Sequence, residues 1–297
     1  MNPILLTLGE SIDKAFYGFD MWVFHFFGSM QNTFLTYVAK FFTALGDEAF
    51  VIPMAVLGVV LCLFKKTRKY GFALIFAIAI GTIVTNVVVK PMALRIRPYN
   101  TLQGNADYFN WYLGAGSLSE SDYSFPSGHT TAATEIAMAL FLCFMKDKKK
   151  IAWLFPCIAL CTAGSRIYLM VHYPSDIVGG LIVGTVAAVI AYFLMKLVMI
   201  VFDKTKLGNI DAAKLFKKIT EKTNGKAAPV VICLAVLGIF LYSFIPSFTE
   251  GGEDALRCAY NEEYDCYNEA RTDEKYPAID GKNYCKIHWK QLNGIEE

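Results

Sequence analysis

Long apolar runs constrain this chain more than any other feature of its sequence. Residues 71–89 and 177–200 are almost wholly apolar and long enough to cross a bilayer as helices, which takes about 17 to 25 residues. Only 18% of the 297 residues are charged, whereas about a quarter are charged in a soluble domain. With 55% hydrophobic residues and a mean hydropathy of +0.39, the sequence predicts an all-α, polytopic transmembrane helical bundle.

The order of apolar and polar segments predicts about six spans and a small extracytoplasmic C-terminal tail. We expect N-terminal amphipathic or interfacial helices, a transmembrane core, a cytoplasmic basic connector, an additional transmembrane helix and a cysteine-containing tail. These five segments are residues 1–48, 49–202, 203–226, 227–248 and 249–297. The predicted spans are residues 49–64, 71–89, 130–145, 151–170, 177–200 and 227–248. Because Asp20, His25 and Lys40 interrupt the first apolar run, a single tilted span is the alternative to helices in the interface.

Basic loops fix the expected orientation, because lysine and arginine concentrate on the cytoplasmic side of membrane helices. Loops 65–70, 146–150 and 203–226 fall at alternate crossings, so one topology places all three inside. The same topology places residues 90–129, 165–176 and the tail outside. Short loops and the lack of a secretory signal peptide favour a bacterial plasma membrane. The net charge of +2 lies in loops rather than on one face, so we expect no nucleic-acid partner.

The segment Ser165–Asp176, SRIYLMVHYPSD, places an arginine, a histidine and a carboxylate between two apolar runs. Pro174 disfavours helical geometry at the residue before it, so we expect His172 on a turn ahead of the next helix. Asp176 falls in the first turn of that helix, where the dipole favours a carboxylate that can reach back to an imidazole. A histidine oriented in this way beside Arg166 is suited to attack an anionic electrophile.

Further cations lie on the same predicted face. Lys90 and Arg97 are seven residues apart where the second span ends. Together with Arg166 they offer three positive charges, and the two arginines can each bind phosphate oxygens with two parallel hydrogen bonds. We therefore expect an anion to be held at this face.

A second histidine belongs to the sequence Pro126-Ser127-Gly128-His129, which opens the third span. Ser127 is a good helix N-cap, Gly128 allows close backbone approach, and the first free amides of the helix make an anion site. His129 stands next to that site, where it can protonate a departing oxygen.

Together the three motifs, Lys-x6-Arg-Pro, Pro-Ser-Gly-His and Ser-Arg-x5-His-x3-Asp, resemble those of the type 2 phosphatidic acid phosphatase family. Its members include membrane lipid phosphate phosphatases, undecaprenyl pyrophosphate phosphatases, glucose-6-phosphatases and, more distantly, vanadium haloperoxidases. All three motifs match without a substitution, and the resemblance spans roughly residues 45–200.

The resemblance implies a metal-independent hydrolase without a cofactor, acting on a lipid phosphate or lipid pyrophosphate at the outer leaflet. In such enzymes the residue matched by His172 forms a phosphohistidine, that matched by Asp176 orients it, and that matched by His129 serves as acid and then as base. The phosphate-holding positions are matched by Lys90, Arg97, Ser127, Gly128 and Arg166.

The substrate and the exact reaction stay open at this level. Undecaprenyl pyrophosphate, phosphatidylglycerophosphate and phosphatidic acid all present a similar terminal phosphate. A phosphotransferase using the same intermediate and a non-catalytic lipid-phosphate binding protein are the alternatives. The expected partners are a lipid phosphate and the membrane, and the sequence predicts no oligomeric state.

Other residues receive lesser roles. Arg95 lies outside the motif spacing and is expected to anchor the chain at the interface. Ser165 receives a supporting role at most. Glu135, an acid within the third span, lies about 9 Å of helix rise beyond the histidine of the second motif, so we expect a structural pairing within the bundle rather than catalysis. Gly180 and Gly184 have the small-xxx-small spacing that lets helices approach closely.

Three cysteines, Cys258, Cys266 and Cys285, lie in the polar tail, where the expected extracytoplasmic location favours a disulfide. They allow three single pairings, and the remaining thiol would be free to bridge to another chain. A Cys₃His zinc site that adds His288 is the less favoured interpretation, because its spacing differs from that of common zinc modules. The tail is interpreted as a small lid or an interaction element, and the sequence does not choose between them.

Overall fold

A computed structural model describes residues 7–214, 256–260 and 266–295, together with residues 230–231, 234–235, 237–238 and 241–242. Within these ranges the chain forms helices joined by loops, and strand-like pairing is confined to two isolated bridges between residues 257 and 269 and between residues 279 and 282. The helices of residues 7–214 and 266–295 are α1 (Leu8–Ser29), α2 (Thr33–Thr43), α3 (Glu48–Leu63), α4 (Arg68–Ile83), α5 (Lys90–Ala93), α6 (Pro98–Thr101), α7 (Ala106–Gly114), α8 (Gly128–Lys146), α9 (Leu154–Tyr168), α10 (Pro174–Lys204) and α11 (Lys286–Leu292). The predicted helical class is confirmed for this part of the chain.

Among the described residues, four stretches of helix are long and apolar enough to cross a membrane: Arg68–Thr101, Gly128–Lys146, Lys150–Tyr168 and Pro174–Lys204. They coincide with four of the predicted spans. The pair Thr33–Gly46 and Glu48–Leu63, bent by 42°, makes a fifth if it is one span. The predicted sixth span, residues 227–248, lies mostly outside the described residues, so six spans stay a prediction.

The second of the predicted spans is interrupted where it reaches the polar end of the bundle. After α4 the helix continues through a π-helical stretch, Val84–Val89, and α5 ends at Leu94, which has a φ of 52°. Pro98 begins α6, and Arg97 before it is extended, with φ −73° and ψ 149°, because the proline ring disfavours helical geometry at the preceding residue. The helix break therefore sets the backbone position from which Arg97 enters the site.

Close packing of α8 on α10 brings the starts of both helices together. A Cβ added to Gly180 would lie 2.9 Å from the carbonyl oxygen of Ser127, and one added to Gly184 would lie 2.7 Å from that of Thr131. Only glycine permits this approach, so the predicted role of these two residues is confirmed. At the upper end of the contact the Ser127 amide donates to the carbonyl oxygen of Asp176, at 3.2 Å.

The N-terminal helix α1 packs across the same end of the bundle. Phe24 is fully buried and contacts the rings of Tyr108 and Tyr173, with centroids 4.9 and 6.0 Å away. Asp20, also on α1, is buried and accepts a hydrogen bond from the Ser175 amide at 2.8 Å. α1 is not among the helices with the composition of a span, and its placement in the interface stays a prediction. It nevertheless contributes directly to the polar end where the motif residues meet.

Candidate active site

The turn between α9 and α10 carries the third motif. His172 lies in the loop that joins the two helices, Pro174 is the first residue of α10, and Asp176 is in its first turn. The Tyr173 amide donates to Asp176 Oδ2 at 2.9 Å, which caps the helix start and fixes the carboxylate. The local structure predicted for this segment is confirmed.

His172 is fully buried and both of its ring nitrogens have partners. Nε2 lies 3.1 Å from Arg97 Nη1, and Nδ1 lies 3.4 Å from Asp176 Oδ2 and 3.3 Å from Ser124 Oγ. Because a guanidinium only donates, Nε2 must accept, which leaves the ring proton on Nδ1 facing the carboxylate. The lone pair of Nε2 thus points toward the cations.

The protonation state of His172 follows from the same surroundings. Burial, and then the positive charge of Arg97, lower its pKa to about 3, although the Asp176 carboxylate opposes the shift. The imidazole is therefore neutral at physiological pH. A neutral ring with its Nδ1 proton directed at a carboxylate is the state that a nitrogen nucleophile requires.

Arg95 orients the carboxylate behind His172, and its predicted role as an interfacial anchor is wrong because its side chain is buried. Its Nη1 donates to Asp176 Oδ1 at 2.6 Å, its Nη2 to Asp20 Oδ2 at 3.0 Å and its Nε to Asp13 Oδ1 at 2.8 Å. Motif spacing could not reveal this role, since two of the three carboxylates come from α1. The arginine fixes Asp176 on the side away from the imidazole.

Arg97 and Lys90 are buried at the same face and share an acidic partner. Arg97 Nη2 donates to Asp122 Oδ1 at 2.5 Å, while Lys90 Nζ pairs with the other oxygen of that carboxylate. The predicted pair of cations is thus brought together by the fold. A Cβ added to Gly128 would lie 3.7 Å from Lys90 Nζ, so the lysine also borders the start of α8.

The start of α8 has the geometry expected of its motif. Ser127 is the N-cap, it is fully buried, and its Oγ accepts a hydrogen bond from the Thr130 amide at 3.4 Å. The following first turn carries His129. The turn before α3 packs against this histidine's backbone, since a Cβ on Gly46 would lie 2.4 Å from the His129 carbonyl oxygen. Glycine at this position lets α3 close the side of the site.

His129 and Arg166 meet at a carboxylate that sequence reasoning did not assign. Glu120 Oε1 pairs with Arg166 Nη2 and lies 3.6 Å from His129 Nδ1, and its Oε2 accepts from Arg97 Nη2 at 3.0 Å. His129 Nε2 lies 3.5 Å from Asp47 Oδ2, and 18% of the histidine side chain is exposed. The three motifs therefore converge on the space that the Glu120 carboxylate occupies.

Glu120 and Asp122 balance the charge of the cation cluster. Although burial acts against it, the charges of Arg97 and Arg166 hold the pKa of Glu120 well below its ordinary value. Burial likewise opposes a lowering of the Asp122 pKa that is caused by Lys90 and Arg97. Both acids are therefore ionised. A signal for them exists in the sequence, because buried cations need counter-charges and the loop between α7 and α8 holds two acids shortly before the second motif.

Two residues given lesser roles can also be placed. Ser165 is buried and its Oγ donates to the Thr162 carbonyl oxygen at 2.6 Å, within α9. Glu135 is buried beside Gly81, and neither of its oxygens accepts a hydrogen bond within the described part of the chain. The structural pairing predicted for Glu135 is therefore wrong as far as the described residues extend. Glu135 lies apart from the candidate catalytic residues.

Comparison with known proteins identifies the family. A profile of the PAP2 superfamily matches residues 70–199. An undecaprenyl-diphosphatase of Sulfolobus acidocaldarius is 31% identical over 169 residues, which cover 57% of this chain and 74% of that relative. A lipid A 4′-phosphatase of Bacteroides thetaiotaomicron is 28% identical over 178 residues, covering 57% and 73%. Among solved structures, a transmembrane PAP2 type phosphatidylglycerolphosphate phosphatase from Bacillus subtilis has a TM-score of 0.50 and 25% identity, covering 64% of this chain and 89% of that one.

The profile match covers most of α4 and all of α5 to α9, and it ends five residues before the end of α10. It therefore contains every residue of the three motifs, from Lys90 to Asp176. Its position agrees with the resemblance that the motifs carry, and the solved structure shares the helical arrangement. The chain belongs to the PAP2 superfamily.

Proposed function

We propose that this chain is an integral membrane phosphatase that hydrolyses a lipid phosphate or lipid pyrophosphate at the outer leaflet through a phosphohistidine intermediate. The hydrolase class follows from family membership and from the phosphatase names of its relatives. The observation that carries the mechanism is the neutral, immobilised His172, whose Nε2 lies 3.1 Å from Arg97. A neutral ring and a fixed orientation are both needed for attack on a phosphorus atom that is held by cations.

In the first step, Nε2 of His172 attacks the terminal phosphorus and forms an N–P bond, while the bond from phosphorus to the leaving oxygen breaks. His129 donates a proton to that oxygen. Lys90, Arg97, Arg166 and the amides after Ser127 stabilise the phosphoryl oxygens, where negative charge accumulates. Asp176 accepts the hydrogen bond of Nδ1–H and stabilises the positive charge that develops on the ring.

In the second step, water attacks the phosphohistidine, the N–P bond breaks and His172 regains its lone pair. His129, now neutral, accepts a proton from the water, so the histidine that served as acid returns to its starting state. Phosphate leaves as the product. For substrate to enter, its phosphoryl oxygens must replace the Glu120 carboxylate as partners of Arg97 and Arg166.

The outer-leaflet location is supported by loop charge. In the sequence, the three basic loops adjoin the ends of the predicted spans opposite to those that carry the motif residues. The substrate class is supported by relatives whose names specify undecaprenyl diphosphate, lipid A and phosphatidylglycerophosphate. We therefore propose a membrane lipid with a terminal phosphate or pyrophosphate, such as undecaprenyl pyrophosphate, phosphatidylglycerophosphate or phosphatidic acid.

The decisive experiment measures phosphate release by the full chain, purified in detergent, from these three lipids. We expect release from at least one, and a labelled phosphoenzyme after rapid quenching in alkali. His172→Ala should abolish the phosphoenzyme and lower turnover about 10³-fold or more. His25→Ala is the matched control, because His25 is exposed on α1, and it should retain turnover within about twofold.

Three outcomes would contradict the proposal. Binding of all three lipids without phosphate release would indicate a non-catalytic binding protein. Product formation only in the presence of a second lipid or sugar would indicate a phosphotransferase. Intact cells that leave an impermeant short-chain lipid phosphate unhydrolysed, when lysed cells hydrolyse it, would place the site at the inner face.

A further inference from the structure

The C-terminal segment, residues 256–295, brings four potential metal ligands together that are far apart in the sequence. The donor atoms of Cys258, Cys266, Cys285 and His288 all lie within 4.8 Å of one another. His288 Nδ1 is 3.3 Å from Cys258 Sγ and 3.4 Å from Cys285 Sγ. All three cysteines are buried and none forms a disulfide. The cluster lies outside the part of the chain matched by the family profile.

These distances fit tetrahedral coordination. Zinc binds cysteine sulfur at about 2.3 Å and histidine nitrogen at about 2.0 Å, so tetrahedral ligands stand about 3.8 Å apart between two sulfurs and about 3.5 Å apart between sulfur and nitrogen. The two observed sulfur-to-nitrogen distances are within a few tenths of an ångström of that value. Three thiolates and one imidazole form a closed ligand set of the kind found in structural zinc sites.

The surroundings of the cluster also resemble those of a metal site. Asn268 Nδ2 donates to Cys285 Sγ at 3.6 Å, a hydrogen bond that would stabilise a thiolate ligand. Tyr260 packs edge-on against His288 with ring centroids 4.7 Å apart and shields the imidazole. A single disulfide would use two of the three thiols, whereas one metal ion engages all three thiols and the imidazole.

The segment needs a stabilising centre beyond its own packing. Its hydrophobic cluster consists of the three cysteines and Ile287, with Tyr260 and Tyr284 of the segment and Tyr123 of the loop before α8 packed around them. In its described parts, residues 256–260 and 266–295, regular structure is limited to α11, of seven residues, and isolated bridges. A segment of this size with so small a core usually depends on disulfides or a structural metal.

We propose that residues 256–295 bind one zinc ion through Cys258, Cys266, Cys285 and His288, and that the ion is structural. It holds Asn268, whose Oδ1 accepts hydrogen bonds from Tyr99 at 3.1 Å and Asn100 at 2.9 Å. Tyr99 in turn accepts from the Glu120 amide at 3.0 Å. The zinc-bound segment therefore fastens the loop of Glu120 at the edge of the active site without touching the reacting groups.

Metal analysis of the full chain, purified in detergent, tests the site. We expect about one zinc per chain by elemental mass spectrometry, and less than a tenth of that after Cys285→Ser or His288→Ala. His288→Cys keeps four ligands and should restore the zinc, which separates loss of a ligand from failure to fold. The matched control is Cys157→Ser, since Cys157 is exposed on α9, and it should leave the zinc content unchanged.

A second measurement follows the structure of the segment. Removing zinc with a chelator should make trypsin cleave after Arg257, Arg271 or Lys282 at least tenfold faster, and added zinc should reverse this. Two results would overturn the proposal: wild-type protein without zinc that also fails to take it up, or a disulfide among the three tail cysteines in unreduced peptides. Metal content is measured without turnover, so these outcomes are independent of the proposed reaction.

Discussion

The two histidines of the active site have opposite surroundings, although both lie at the polar end of the bundle. His172 has no exposed surface, and both of its ring nitrogens have partners between 3.1 and 3.4 Å away. His129 keeps 18% of its side chain exposed and has two carboxylate neighbours, at 3.5 and 3.6 Å. One ring is fixed by the protein, and the other is held loosely and is partly exposed.

This difference matches the two roles that we propose for them. A nucleophile reacts from one tautomer in one orientation, so the ring needs fixed partners on both sides. A group that serves as acid and then as base must exchange its proton with substrate and water, which requires access and freedom to adjust. The burial of His172 and the exposure of His129 thus fit the proposed division of the chemistry between the two imidazoles.

Replacing His129, the loosely held ring, should have a larger effect than any change to the groups that support the site. We expect His129→Ala to lower kcat for a lipid substrate by about 10² to 10⁴-fold, the usual contribution of a general acid or base. An aryl phosphate needs no proton on its leaving group, so the first step should survive while hydrolysis of the phosphohistidine stays slow. Rapid-quench labelling should show phosphoenzyme accumulating in this variant.

The contrast with His172→Ala is the internal control, since that variant should form no phosphoenzyme from either substrate. A His129→Ala protein that turns over aryl phosphate at the wild-type rate without accumulating phosphoenzyme would contradict the role of His129 in the second step. Equal losses on both substrates, with no phosphoenzyme, would contradict its role as acid.

The fixed orientation of His172 is tested by changing Arg95, which holds the Asp176 carboxylate. Arg95→Lys keeps the charge but cannot form the separate hydrogen bonds to Asp13, Asp20 and Asp176. We expect kcat to fall about 10- to 100-fold with little change in KM, because the residue positions the carboxylate behind the nucleophile and does not touch substrate. Steady-state kinetics on the preferred lipid measures this.

Arg271→Lys provides the matched control, because Arg271 is exposed in the C-terminal segment and pairs only locally with Asp273. It should leave both parameters unchanged. An Arg95→Lys protein with a raised KM and an unchanged kcat would show that Arg95 contributes to binding rather than to positioning.

A smaller effect is expected at Glu120, which lies between the two histidines. Glu120→Gln removes the negative charge that competes with phosphate for Arg97 and Arg166. We expect inorganic phosphate to inhibit about tenfold more strongly, which corresponds to about 1.4 kcal/mol. Glu274→Gln, at an exposed position, is the control. An unchanged or weaker inhibition constant would show that Glu120 does not occupy the phosphate position.

The sequence predicted which motif residues lie together better than it predicted the residues that support them. His172, Asp176 and the cations lie in short motifs whose spacing reflects local geometry, so their positions could be inferred from helix starts and a proline. Arg95 contacts carboxylates of α1, and Glu120 reaches Arg166 of α9 from the loop after α7, and no spacing rule links those elements. Tertiary contacts of this kind become visible only when the helices are placed together.

The C-terminal tail is a second case in which sequence spacing does not reveal a tertiary contact. The separations between Cys258, Cys266, Cys285 and His288 match no common zinc module, so the sequence alone favours a disulfide. The fold brings the four donors together through backbone pairing, such as the Cys258 amide to the Asn268 carbonyl oxygen at 3.0 Å. A ligand set assembled by tertiary structure has no fixed spacing along the sequence.

The last effect concerns stability, and it tests the burial of His172 directly. Its pKa is about 3 in the folded chain, against 6.5 for the unfolded residue, so between these values the unfolded state binds the additional proton. Stability therefore falls as the pH falls below 6.5, and from pH 6.5 to 5 the loss due to this group is about 1.5 kcal/mol. Glu120 and Asp122 affect stability only below about pH 4.5, where their unfolded forms take up protons.

We expect the melting temperature in detergent to drop between pH 6.5 and 5 by a few degrees more in wild type than in His172→Gln. The remaining histidines are common to both proteins and cancel in the difference. Equal drops in the two proteins would mean that His172 is not buried as a neutral ring, and the contrast between the two histidines would be lost.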